Sequence, residues 1–129
     1  MQDLLVYRRE GKHISDDAEF INTSDICFVT AERESPKSDY RIILTTLERE
    51  YVTYAKNVDS FVTAISKLDN FSRVDRGVTV NLLHEIDYNK DLGQLIYKNI
   101  NYKRNNRVVV GKKYEKSVKD ELIKLGKWE

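Results

Sequence analysis

Phe71-Ser72-Arg73-Val74-Asp75-Arg76-Gly77-Val78-Thr79-Val80-Asn81 is the stretch on which the reading of this chain turns. It reads as an extended segment interrupted once, at Gly77. Immediately before it the hydrophobic period changes. Val58, Phe61, Val62, Ile65 and Leu68 recur at helical spacing and fall on one face of a helix. Asn57 is placed to cap that helix, and Asp59 in its first turn suits the helix dipole.

Toward the N-terminus the pattern is strand-like. Leu4 to Tyr7 runs into a polar turn at Glu10-Gly11-Lys12, and Asp25 to Thr30 is a compact β-rich run. A charged loop from Glu32 to Asp39 follows and holds the only proline, Pro36, so it is expected to project into water. Tyr40 to Thr46, a turn over Leu47 to Glu50, and Tyr51 to Tyr54 make an antiparallel hairpin. Toward the C-terminus, Glu85 to Tyr88 reads as strand and Asn89 to Gly93 as turn. Gln94 to Tyr102 reads as one long strand. Asn105-Asn106, flanked by Arg104 and Arg107, is a two-residue hairpin turn on this reading, because Asn tolerates positive φ. Val108 to Val110 returns and Gly111 ends it. A last helix carries Val118, Leu122 and Leu125 on one face, with Gly126 at its C-cap. The fold class expected is mainly β with two helices (α+β).

Length and composition bound the rest. The chain has 129 residues, 40% hydrophobic and 33% charged, which fits a single domain over 1–129 and excludes wholesale disorder. No apolar run approaches the roughly 18 residues of a transmembrane helix, and the start lacks a secretory leader. Cys27 is the only cysteine, so a reducing cytoplasm is the expected location. The formal net charge is +1, but its distribution is uneven. Lys98 to Lys119 carries eight basic residues against one acid, Glu115, a net +7, leaving −6 on the remainder. That asymmetry is the footprint of a polyanion binder, although a solvated basic face would look similar. No glycine-rich phosphate loop, nucleophile elbow or zinc-helix motif is present, so neither an enzyme nor a cofactor is expected. His13 and His84 lack ligand spacing and suggest no metal site.

The 71–81 segment resembles the signature of LytTR bacterial DNA-binding domains, a Phe-x-Arg-Val-His-Arg-Ser element followed by an apolar strand ending in Val-Asn. Three flanking features fall in the family's order. Ser24-Asp25-Ile26 resembles its entry into an early strand, the Val58–Leu68 helix precedes the motif, and Val110-Gly111-Lys112-Lys113-Tyr114 resembles the step into the terminal helix. The resemblance runs over roughly residues 20–125, with 1–20 adding an N-terminal strand or pair. Two positions depart from the pattern: Asp75 replaces the usual His, and Gly77 the usual Ser. Asp75 is expected to point inward or to pair with Arg73 or Arg76.

The resemblance implies layered antiparallel sheets whose loops enter successive major grooves of double-stranded DNA and bend it. Carried over by position, the DNA-facing residues would be Lys37 and Arg41 near the charged loop, Arg76 in the motif, and Lys112, Lys113 and Lys116 at the last strand-to-helix junction. Arg76 and the Lys37 loop would read bases, and the others would hold phosphates. Arg73 is expected to form a structural ion pair instead. The resemblance also implies paired repeat sites holding two copies that meet as a dimer on DNA, with no membrane or small-molecule partner expected. The residues ahead of the domain are too few for a receiver, so the expectation is a stand-alone regulator or an excised output domain. The rival reading is a protein-interaction module that sequesters a partner regulator, motivated by the acidic remainder and by Asp75.

Overall fold

The computed structural model describes residues 2–128. Strands β1 (Asp3–Glu10) and β2 (His13–Asn22) form an N-terminal hairpin. After a 3-10 turn come β3 (Ile26–Glu32), β4 (Tyr40–Thr46) and β5 (Glu50–Ala55), then helix α1 (Val58–Ser66). The motif folds as the hairpin β6 (Phe71–Asp75) and β7 (Val78–Asn81). Strands β8 (Ile86–Asn89), β9 (Gln94–Tyr97) and β10 (Arg107–Val109) follow, and α2 (Glu115–Lys124) ends the fold. A seven-stranded sheet has the order β2-β1-β5-β4-β3-β7-β6, and a three-stranded sheet the order β10-β9-β8, with antiparallel pairing throughout. The mainly β, two-helix class is as the sequence suggests.

Strand β3 separates two cores. Successive strand residues point to opposite faces, so Phe28 and Val29 serve different layers. Phe28 joins Val80, Leu95, Tyr97, Val118 and Leu122, which pack the small sheet and α2 against the large sheet. Val29 joins Val6, Ile42, Leu44, Ile65 and Phe71, with Leu4 and Ile21 of the N-terminal hairpin and Phe61 of α1 packed alongside. Tyr97 stitches the layers together. Its fully buried hydroxyl lies 2.7 Å from the Cys27 carbonyl and 2.8 Å from the Asn81 carbonyl. Burial pushes this phenol well above its ordinary pKa, so the hydroxyl keeps its proton and can donate. Burial also pushes the Cys27 thiol up to about 12, which keeps it unreactive. No helix among the described residues is long and apolar enough to cross a membrane.

Both helices are terminated by local chemistry. The Asn57 side chain accepts from the Ser60 N–H at 3.0 Å, as its cap position requires. Gly126 adopts φ +70 after α2, and the Gly126 and Lys127 amides donate to the Ile123 and Leu122 carbonyls. That paired pattern needs a left-handed residue, which Gly supplies without strain. Asn57→Ala is expected to cost about 1 kcal/mol in chemical denaturation, because a helix N–H loses its acceptor.

One segment departs from the sequence reading. Strand β9 stops at Tyr97, and β10 pairs with it from Arg107 opposite Ile96, so 98–106 is a loop rather than a strand and a two-residue turn. Neither Asn105 nor Asn106 takes positive φ; Asn70 (φ 70) is the one non-glycine residue that does so among those described. Tertiary contacts hold the loop open. Ile100 is buried in the core, the Tyr102 hydroxyl donates to the Thr46 carbonyl at 3.0 Å, and Lys103 pairs with Glu50. Asn106 closes the loop by donating from its side chain to the Tyr97 carbonyl at 2.9 Å.

Candidate nucleic-acid interface

The β6–β7 turn presents Arg76. Asp75 is exposed and pairs with neither neighbouring arginine: its Oδ1 accepts from the Arg76 backbone N–H at 2.7 Å. The expectation of an inward or arginine-paired Asp75 is therefore corrected; the carboxylate caps the turn. Arg73 forms the ion pair expected of it, with Asp59 of α1 at 2.5 Å. The guanidinium of Arg76 has no ion pair or hydrogen bond among the described residues, and its side chain is exposed. Gly77 leaves room for the serine of the family pattern, since a Cβ there would meet only Val58 Cγ1 at 3.7 Å.

Two open grooves adjoin at Arg76. In one, Arg76 shares the lining with Lys113, Tyr114, Arg73, Asp59 and Asp75. In the other, Arg76 and Gly77 face Tyr40, Lys56, Asn57 and Val58. The first groove exists because Gly111 packs its backbone onto β6. The Gly111 N–H donates to the Val74 carbonyl at 2.7 Å, and a Cβ at this position would come within 3.1 Å of that oxygen. This close approach brings the 3-10 turn Lys112–Tyr114 beside the Arg76 turn.

The candidate residues are distributed unevenly around this site. Arg76 and Lys113 lie together, with Lys112 and Lys116 exposed on the same junction. Lys37 is exposed in the loop leading to Tyr40. That loop is braced: Arg33 donates to the Ser38 carbonyl at 2.8 Å and stacks 4.4 Å over the Tyr40 ring, which borders the second groove. Arg41 is held between carboxylates, 2.6 Å from Glu34 and 3.5 Å from Glu32, and Glu32 also binds Arg9 at 2.7 Å. The Lys98–Lys119 stretch does not form one patch, because Lys98 pairs with Asp87 at 3.3 Å and Lys103 with Glu50. Lys56, just before the Asn57 cap, also lines the second groove and is not among the residues singled out from the sequence.

This architecture defines a class: layered antiparallel sheets with a helix before the motif hairpin and a second helix after the last strand, the LytTR-type fold. Among solved structures the chain is similar to the LytTr DNA-binding domain of a putative methyl-accepting/DNA response regulator from Bacillus cereus. The TM-score is 0.61 at 18% identity, over 92% of this chain and 95% of that one. No protein-family model and no curated protein sequence matches the chain.

Proposed function

We propose that the chain is a sequence-specific double-stranded DNA-binding domain acting in bacterial transcription regulation from the cytoplasm, with 1–129 as one unit. The observation that carries this reading is an unpaired Arg76 at the junction of two grooves, one of which it shares with Lys113. A long cation free of internal partners can reach guanine O6 and N7 in a major groove. Lys112, Lys113 and Lys116 flank it as phosphate contacts, and the Lys37 loop reaches the next groove of the duplex, bending it toward the protein. Arg41 joins them only by exchanging Glu32 and Glu34 for phosphate. Two copies would occupy paired repeats. The solved relative is named a DNA-binding domain, and this supports the reading. The role is binding; no catalytic step is assigned.

The test is retention of genomic fragments at low salt, followed by sequencing, with enrichment of a shared motif expected. Lys113→Ala should weaken binding to all sequences alike and lower the salt slope by about 1. A second reading, a protein-interaction module that sequesters a partner regulator, draws on the N-terminal hairpin. There Leu5 and Phe20 stand opposite each other, 44% and 71% exposed, on the strand pair that also carries Tyr7, whose ring meets Tyr54 edge to face. Exposed apolar patches of this kind mark docking surfaces. That reading wins if no fragment is enriched while a cellular protein co-purifies and Phe20→Lys abolishes its capture.

A further inference from the structure

Arg73 is engaged more fully than an ordinary surface ion pair requires. Its Nη2 meets Asp59 Oδ1 at 2.5 Å and also donates to the Arg76 carbonyl. Its Nη1 donates to Thr63 Oγ1 at 3.2 Å, and its Nε to the Asp75 carbonyl at 3.3 Å. One planar fork therefore ties two carbonyls of the β6–β7 turn to the first two turns of α1. Asp75 Oδ1 fixes the Arg76 N–H from the other side. The backbone of Arg76 is held through both its N–H and its C=O, whereas its side chain is free. The anchor is itself rigid, since α1 is seated by the buried Val62 and Ile65 and capped by Asn57.

We infer that the Asp59–Arg73 pair is a positioning device: it sets the direction in which Arg76 leaves the turn, and so sets sequence preference without touching a base. This rests on the DNA-binding reading above. A reader on a mobile turn must be ordered at the moment of binding, and cognate and non-cognate sites are then separated less well. A fork with several donors in one plane can hold four acceptors together, and a lysine ammonium cannot reproduce that geometry. The pair has a second consequence. Asp59 lines both grooves, and Arg73 offsets a carboxylate that would otherwise face phosphate.

Conservative variants separate the two effects. The probes are a duplex enriched from genomic DNA by the unaltered protein and a shuffled duplex of equal composition. Arg73→Lys keeps the charge, and it is expected to reduce the cognate-to-shuffled affinity ratio about threefold to tenfold while shuffled-duplex binding changes little. In an Arg76→Ala background the same change should add nothing, because Arg73 acts through Arg76. Asp59→Asn should tighten shuffled-duplex binding yet still lower the ratio, which gives a second route if Arg73→Lys folds poorly. An unchanged ratio in Arg73→Lys and Asp59→Asn, or an equal loss with and without Arg76, overturns the inference. Hydrogen exchange gives a DNA-free arm, in which Arg73→Lys should accelerate exchange at the Arg76 and Gly77 amides. If the unaltered protein enriches no duplex while exchange still accelerates, the brace stands and the positional role in DNA reading falls. Unaccelerated exchange overturns the brace itself.

Discussion

Arg76→Ala is expected to flatten sequence preference, costing about 1–3 kcal/mol on the cognate duplex, while binding to unrelated duplexes changes far less. The asymmetry follows from where the residue stands. Its guanidinium is not needed by the fold, so removal leaves no buried orphan and no broken ion pair among the described residues. What is lost is a pair of donors able to meet a guanine edge. Competition binding between the enriched duplex and a shuffled one, at fixed salt, measures the effect. Equal losses on both duplexes would make Arg76 a phosphate contact, and no loss on either would remove it from the interface.

Tyr97→Ala is expected to destabilise the domain by about 3–5 kcal/mol, the range for deleting a buried aromatic ring. The ring is fully buried among Phe28, Leu95 and Val108, with the Phe28 ring centroid 5.4 Å away. Tyr97→Phe isolates the hydroxyl. It keeps the ring but leaves the Cys27 and Asn81 carbonyls without this donor, at about 1–3 kcal/mol. Urea denaturation of the two variants separates packing from hydrogen bonding. A Tyr97→Phe variant as stable as the parent would show that the hydroxyl does not hold the layers together.

What could be read in the sequence was what is locally encoded. The α1 face and its Asn57 cap follow from helical spacing within eleven residues, and the extended 71–81 segment with its break at Gly77 is local too, although its folding back as the β6–β7 hairpin comes from the structure. The 98–106 loop is not legible in the sequence because its partners lie far along the chain: Tyr102 bonds Thr46, and Lys103 pairs with Glu50. Strand-like composition says nothing about such anchors. The same holds for the site. Arg41 looks like a free cation in the sequence, and only the register that sets Glu32 opposite Arg41 shows its charge offset. Arg76 and Lys113, 37 positions apart, meet because Gly111 lets the last junction sit against Val74. Close packing of that kind leaves no periodic trace in the sequence.

The proposed grip of the cationic residues around Arg76 on a duplex runs through its phosphates as well as its bases. Its most direct test is the salt dependence of affinity for the enriched duplex. With Lys112, Lys113 and Lys116 as phosphate contacts, a plot of log affinity against log salt should fall with a slope of about −2.7, taking −0.9 per contact. A flat plot would contradict the account, because no phosphate would then be neutralised by this edge.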